Sequence, residues 1–184
     1  MGTVVDNLYA DFSAIVQILD ASSEVSLRSS VEANFRKALL LCAASFFEHK
    51  LSTSILDFCH ESSKGNTLIP SLIRIKAVNR QYHTWFSWES SNVNQFIGLF
   101  GDDFKKFMSG YIKDNNLEVP IKDFMEIGSS RNRLVHQDFG SFTLEKTSSE
   151  IYNTYESALL FVDSVPVALR ACSAQCLQYE DLPN

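Results

Sequence analysis

The segment 131–136 places three polar side chains with complementary chemistry close together in the chain. Arg131 keeps its positive charge and can grip phosphate oxygens with a planar fork of donors. His136 can transfer protons near neutral pH, because the unperturbed pKa of histidine is about 6.5. Asn132 adds an amide that can position His136 or a bound sugar. Together these residue types suit phosphate binding with proton transfer beside it.

A helix opened by Val119-Pro120 must position these side chains, since proline is tolerated in a first helical turn. Its helical spacing predicts an apolar stripe of Ile121, Phe124, Met125, Gly128 and Val135. Asn132 falls in the middle of this stripe, and Arg131 and His136 flank it. Burying such groups alone would cost several kcal/mol. They therefore need internal partners, a partner chain or an anionic ligand. The alternative is that they are ordinary structural groups and His136 is a satisfied core histidine.

Glu48 is a second polar residue in an apolar row. The row runs along a long predicted helix and otherwise contains Leu41, Ala44, Leu51 and Ile55. A carboxylate in such a row usually meets a cationic group, so we expect Glu48 to support Arg131 or His136 from the neighbouring helix. The alternative is a boundary glutamate that reaches solvent.

The rest of the chain reads as helices with short links. Helices are predicted at about 3–19, 25–61, 92–100 and 102–112, with an irregular or short helical region between 68 and 91. A capping box at Thr147–Glu150 begins the last helix, and an irregular tail is expected at 180–184. The sequence of 184 residues therefore predicts a single all-α domain at 1–184, an up-and-down helical bundle with short additional helices.

Composition narrows the class of protein further. The formal net charge of −6 gives no global basic field of the kind that duplex-binding proteins show. The N-terminus lacks the basic region of a signal peptide, and apolar runs such as 38–44 are short for a membrane span. Cys42, Cys59, Cys172 and Cys176 are scattered without matching histidines, which favours reduced thiols over zinc ligands. We expect a cytoplasmic protein with no membrane contact, no metal and no cofactor.

The motif Arg131-Asn132-Arg133-Leu134-Val135-His136 resembles the RNxxxH form of the R-x(4–6)-H motif of HEPN domains. The surroundings agree, because a helix runs through Lys122-Asp123-Phe124 into the motif and a capped C-terminal helix follows it. The long helix with Phe46-Phe47-Glu48-His49-Lys50 is similar to the second helix of the group called RiboL-PSP-HEPN. The likeness spans most of the chain and is sharpest from Ile121 to Phe161.

The resemblance implies a compact helical bundle that forms a homodimer and brings two motifs together in a cleft. Catalytic members are metal-independent endoribonucleases, frequent in bacterial toxin–antitoxin and antiviral systems. The resemblance assigns Arg131, Asn132 and His136 as the catalytic set, all three of which are present. No sensor or ATPase domain accompanies them, so we expect control by a separate regulatory or antitoxin protein, or no control at all. Other members have lost catalysis and bind a protein partner or nucleotide instead, which remains the alternative.

The chemistry of RNA cleavage suits these residue types. RNA can cleave itself when its 2′-hydroxyl loses a proton and the pentavalent phosphate is stabilised, which are tasks for a histidine and an arginine. Secondary candidates for RNA binding are Arg133 and the segment with Arg74, Lys76 and Arg80, which His83, Trp85 and Trp88 follow. The alternative is that these charges are solvated and the tryptophans close the core.

Leu134 lies off the predicted core stripe although it is apolar. An apolar residue that points away from its own core indicates a second packing surface, and a two-fold contact would bury it against another chain. Pairing would also double the positive charge around a scissile phosphate, which an acidic protein needs locally. We therefore expect a symmetric homodimer in which two copies of the motif face each other.

Overall fold

The computed structural model describes residues 2–180, with side chains described through residue 175. The described residues form an all-α bundle, as the sequence predicts, with no β-strand among them. The helices are α1 (Val4–Ala21), α2 (Val25–Ser62), α3 (Leu68–Ile73), α4 (Asn94–Gly98), α5 (Asp102–Asp114), α6 (Glu118–His136) and α7 (Ser148–Glu180). The tail expected to be irregular, and the side chain of Cys176, lie outside the described residues apart from the helical backbone through 180.

Helix α2 is the central helix, because α1, α3, α6 and α7 all pack against it. Its apolar middle forms the core with α6 and α7, and the largest fully buried side chains include Phe47, Leu51, Phe124, Tyr155 and Phe161. The Phe47 ring lies 5.4 Å from the Tyr155 ring and 5.7 Å from the Phe124 ring, centroid to centroid. These contacts join α2 and α7 to α6, the helix that carries Arg131, Asn132 and His136.

Two capping boxes fix the starts of helices at opposite ends of the chain. Thr147 and Glu150 exchange hydrogen bonds at the start of α7, which confirms the predicted box. Thr3 and Asp6 do the same at the start of α1. The Asp6 carboxylate also accepts a hydrogen bond of 3.0 Å from the Tyr152 hydroxyl, so the N-terminal cap is tied to α7.

The segment between α3 and α4 is irregular, as its aperiodic sequence predicts. A π-helical turn at Arg74–Val78 and a 3-10 turn at Tyr82–Thr84 make up most of its regular structure. The indole of Trp85 donates to the carbonyl of Ala77, and the indole of Trp88 donates to that of His83. The tryptophans thus brace the segment against itself while their rings pack on the core.

Helix α6 buries four of the five residues of the predicted stripe but differs from the prediction at its C-terminal end; the four are Ile121, Phe124, Met125 and Gly128. Leu134 is only 1% exposed, whereas Val135 is 46% exposed, so the expectation that Leu134 projects from the core is wrong. Helix α6 makes its most extensive contact with α7. That contact turns the buried arc toward Ile127 and Leu134, which are spaced i and i+7, and leaves Val135 outside.

The loop after α6 is anchored to α2 by two basic side chains. Lys37, although nearly buried, donates from Nζ to the carbonyl of Phe139 over 2.5 Å and lies 4.8 Å from that ring's centroid. Arg36 donates from Nη1 to the carbonyl of Leu144 over 3.0 Å. These bonds hold the chain that leaves His136, and therefore the end of the motif helix.

By length and composition, one helix in the described part of the chain would also suit a membrane span. It is the stretch Ser148–Gln175 of α7, with a mean hydropathy of 1.4 in its most apolar window. The apolar side of this helix packs into the bundle through residues such as Tyr155, Phe161 and Val165, each almost fully buried. Of that apolar window 39% is buried inside the bundle, so packing accounts for part of its apolar character.

Candidate functional site

A cleft opens between α2, α6 and the irregular segment 80–88. Its volume is ≈ 410 Å³, within the usual range for a small-molecule or nucleotide site. Its polar lining comprises Glu48, Arg80, Tyr82, His83, Arg131, Asn132 and His136, and its apolar floor includes Phe47, Trp88, Phe124 and Ile127. The two predicted polar features, on α6 and on α2, therefore share one cavity.

Arg131, Asn132 and His136 all line this cleft, but they differ in burial. Arg131 and Asn132 are partly buried, and Arg131 Nη1 donates a hydrogen bond of 3.1 Å to Asn132 Oδ1. His136 is exposed at the last residue of α6, so it is not the satisfied core histidine of the alternative interpretation. The exposed imidazole and the half-buried guanidinium leave room between them for an anionic group.

Glu48 reaches the same cleft from α2, as expected from the apolar row. Its side chain is exposed rather than buried, because the row opens into the cleft at this point while Leu51 and Ile55 go into the core. Among the described residues it makes no ion pair with Arg131 or His136. A carboxylate in this position lowers the net positive charge of the cleft without neutralising a particular partner.

The secondary RNA-binding candidates are divided by the fold. Arg80 lines the cleft, and its backbone has φ of 59°, a left-handed conformation that is uncommon for a residue other than glycine. Arg74 and Lys76 are exposed on the π-helical turn and are not part of the cleft wall. Arg133 lies against the Phe142 ring and lines a separate cavity of ≈ 190 Å³. Of these four basic residues only Arg80 lines the cleft of the motif, together with His83 and Trp88 from the segment that follows it.

Tyr82 and His83 line the same cleft as the motif, which the sequence pattern does not predict. Their segment has no period that would place them on a helix face, so no simple signal could have found them. Tyr82 is flanked by three aromatic rings, those of Trp85, Phe86 and Trp88, at centroid distances of 5.5, 5.6 and 5.7 Å. Burial raises the pKa of Tyr82 well above its usual range; Glu48 raises it further, and Arg131 opposes the rise.

Gly128 allows the irregular segment to approach α6. A Cβ at this position would lie 1.8 Å from Cζ3 of Trp88, far inside van der Waals contact. The indole therefore rests on the helix backbone one turn before Arg131, where only glycine leaves enough room. This contact positions the wall of the cleft that carries Tyr82 and His83.

Other kinds of site would need side chains that bind a metal ion or act as nucleophiles. The residues described include no group of three or more histidine, cysteine, aspartate or glutamate side chains arranged to hold a metal ion. Cys42 and Cys59 are partly buried, and burial raises the pKa of both thiols, which makes them poor nucleophiles.

The all-α bundle with an arginine, asparagine and histidine set at the end of its sixth helix defines a HEPN-type domain. A sequence-family model for RiboL-PSP-HEPN matches residues 6–170, which includes every residue of the cleft. The chain belongs to the RiboL-PSP-HEPN family. No curated protein and no solved structure matches it significantly.

Proposed function

We propose that this protein is a metal-independent endoribonuclease of the HEPN type. The observation that carries the proposal is the convergence of Arg131, Asn132 and His136 on one cleft of nucleotide size. HEPN domains are frequently ribonucleases, which adds to the inference from the residues. The substrate is RNA, and its own 2′-hydroxyl is the attacking group.

Each residue of the motif has a role in this reaction. Arg131 binds the scissile phosphate and stabilises the charge of the pentavalent state, because its fork of donors matches phosphate oxygens. His136 exchanges a proton with the reacting oxygens, and its exposed position leaves it free to meet the strand. Asn132 holds the guanidinium through their hydrogen bond. Glu48 lines the same cleft from α2, where its carboxylate can accept a hydrogen bond from the bound ribose. The products end in a 2′,3′-cyclic phosphate and a 5′-hydroxyl.

The proposed active form is a symmetric homodimer with the motifs facing each other. Because Leu134 is buried in the core, it cannot form this contact. The apolar surface beside His136 comes instead from Val135 and Phe139, which are 46% and 47% exposed. A two-fold contact there would double the arginines and histidines near the substrate, which offsets the net charge of −6. The setting we propose is cytoplasmic, as a toxin or antiviral effector under control of a separate regulatory or antitoxin protein.

The decisive experiment is cleavage of a labelled single-stranded RNA in excess EDTA. We expect cleavage to persist in EDTA, to leave a 2′,3′-cyclic phosphate and to be lost in His136→Ala. His60→Ala is the matched control, because His60 is exposed on α2 and lies outside the cleft. Loss of cleavage in EDTA with recovery in magnesium would refute the mechanism. RNA binding without any cleavage would favour the second candidate, a non-catalytic module that binds a nucleotide or a protein partner.

A further inference from the structure

Tyr82 is held rigidly at the wall of the cleft opposite the motif helix. It begins the 3-10 turn at Tyr82–Thr84, and the tryptophan hydrogen bonds to Ala77 and His83 brace the chain on both sides of it. Its ring packs among those of Trp85, Phe86 and Trp88. A phenol fixed in this way presents its hydroxyl at a defined position and loses little conformational entropy on binding a ligand.

The hydroxyl of Tyr82 has no hydrogen-bond partner within the described residues, in contrast to two other tyrosines of the bundle. The Tyr155 hydroxyl lies 2.7 Å from Thr3 Oγ1, and the Tyr152 hydroxyl donates to Asp6 over 3.0 Å. Tyr82 is partly buried and lines the cleft, so its hydroxyl is free to donate to a molecule bound there. A ligand in the cleft would supply the missing acceptor.

The charges around this hydroxyl indicate which acceptor it meets. Burial raises the pKa of Tyr82, Glu48 raises it further and Arg131 opposes the rise, which favours the protonated phenol at neutral pH. A protonated phenol can donate but cannot serve as a general base. Tyr82 and Arg131 line the same cleft, so a phosphate oxygen bound there can accept hydrogen bonds from both.

We propose that Tyr82 is a further substrate-binding residue of the cleft, which donates a hydrogen bond to a phosphate oxygen of the RNA strand held by Arg131. The proposal rests on the proposed ribonuclease function, whose motif it extends to the irregular segment. Arg131 and Tyr82 would then clamp the phosphate from opposite walls while His136 carries the proton. The clamp would explain why a segment with irregular backbone is braced so firmly beside the motif.

The test compares Tyr82→Phe with Tyr155→Phe in the full-length protein. The probes are an RNA oligonucleotide that the protein cleaves and the same oligonucleotide with a single 2′-deoxy nucleotide at the cleavage site. We expect Tyr82→Phe to lower kcat/KM and the affinity for the deoxy oligonucleotide by roughly ten- to a hundredfold, with an unchanged Tm. Tyr155→Phe should lower the Tm by a few degrees, because it loses the bond to Thr3, and leave cleavage at 25 °C unchanged.

The outcomes separate this inference from the ribonuclease function itself. Cleavage and binding by Tyr82→Phe equal to those of the unmodified protein would overturn the role of Tyr82 and leave the ribonuclease function standing. A loss of activity accompanied by a lower Tm would mark Tyr82 as a structural residue and also overturn it. Failure of the unmodified protein to bind or cleave RNA would remove both proposals. Because the pKa of Tyr82 is raised above its usual value, the pH–rate profile of Tyr82→Phe should keep its shape at a lower level; loss of its alkaline limb would also contradict a pure donor role.

Discussion

Arg131 Nη1 donates a hydrogen bond of 3.1 Å to the Oδ1 of its neighbour Asn132, and both side chains line the cleft beside His136. Adjacent residues on a straight helix point about 100° apart, so this bond requires the arginine to curl over the amide. The curled guanidinium has fewer orientations available to it. Under the proposed function, Asn132 would therefore lower the entropy that Arg131 loses on binding a phosphate.

The first prediction follows from this bond. If Asn132 works through Arg131, Arg131→Ala should lower kcat/KM for RNA by at least about a hundredfold and Asn132→Ala by about tenfold. The double variant should then be no slower than Arg131→Ala alone, because the amide has nothing left to orient. Single-turnover cleavage of all three variants, with the Tm of each as the control for folding, measures the coupling. A double variant whose loss in kcat/KM equals the product of the two single losses would show that Asn132 contacts the substrate independently.

The second prediction concerns the contact between Gly128 and Trp88. Gly128→Ala adds a Cβ within 1.8 Å of the indole, so the ring must move and the wall that carries Tyr82 must move with it. We expect a loss of about 1–3 kcal/mol in the free energy of unfolding and a lower rate of RNA cleavage. Denaturant unfolding monitored by tryptophan fluorescence measures the first, since the indole itself reports the displacement.

Gly110→Ala provides the matched control for this substitution. Gly110 lies inside α5, and a Cβ there would have no heavy atom within 4 Å. Its substitution should stabilise the protein by about 0.5–1 kcal/mol through helix propensity alone. Equal effects of the two alanines would mean that Trp88 does not rest on α6 in solution.

Local signals in the sequence predict much of the fold. The capping box at Thr147 and Glu150 depends only on residues three positions apart, and it forms as predicted. The long helix α2 is likewise predictable, because its sequence is apolar in the middle and contains no glycine or proline that would end the helix. That Glu48 and the motif line one cleft is also predictable, because each interrupts an apolar row on its own helix.

Other features depend on which helices pack against each other, and these tertiary contacts cannot be predicted from local sequence patterns. Leu134 and Val135 are adjacent and both apolar, and only the contact of α6 with α7 decides that Leu134 is buried. Ile15 has helical spacing with Val5 and Phe12, yet it is 47% exposed because the far half of α1 has less of the bundle beside it. The cleft wall with Tyr82 and His83 is aperiodic, so its inward side chains have no pattern to reveal them.

The third prediction is a pH dependence of stability at the N-terminal cap. Burial alone would raise the pKa of Asp6, but hydrogen bonds from the Thr3 backbone and the Tyr152 hydroxyl outweigh it, and the pKa is lowered overall. A carboxyl group with a lowered folded-state pKa stabilises the fold above its unfolded pKa, about 3.9. That stabilisation disappears as the pH falls through the lower, folded-state value.

Asp6→Asn tests this dependence directly. At pH 7 we expect the variant to be less stable than the unmodified protein by about 1 kcal/mol, because it loses a charge-assisted capping bond. The difference should shrink steadily below pH 4, and thermal unfolding of both proteins from pH 7 to pH 3 measures it. Asp11→Asn, on the exposed side of the same helix, is the control. A difference that grows toward low pH would show that the sign of the Asp6 contribution is reversed.

The last prediction concerns the homodimer and the surface on which it forms. Val135 and Phe139 are about half exposed beside His136, so a charge placed at Val135 should break a two-fold contact that brings two motifs together. We expect the unmodified protein to sediment at twice its chain mass of 20.8 kDa, and Val135→Glu to sediment as a monomer with greatly reduced RNA cleavage. Val167→Glu, on an exposed position of α7, should remain dimeric and active.

Leu134 distinguishes this surface from the core that lies directly beneath it. Because Leu134 is buried within the chain, Leu134→Ala should cost about 2–5 kcal/mol of folding stability and should not produce a folded monomer. Val135→Glu, by contrast, should keep its helical circular dichroism and melt cooperatively as a monomer. A dimeric Val135→Glu would place the interface elsewhere, and an unmodified protein that cleaves RNA as a clean monomer would remove the paired-motif arrangement. Cleavage restored by mixing Val135→Glu with Val135→Lys would locate the contact on the two-fold axis, since opposite charges at one self-paired position attract.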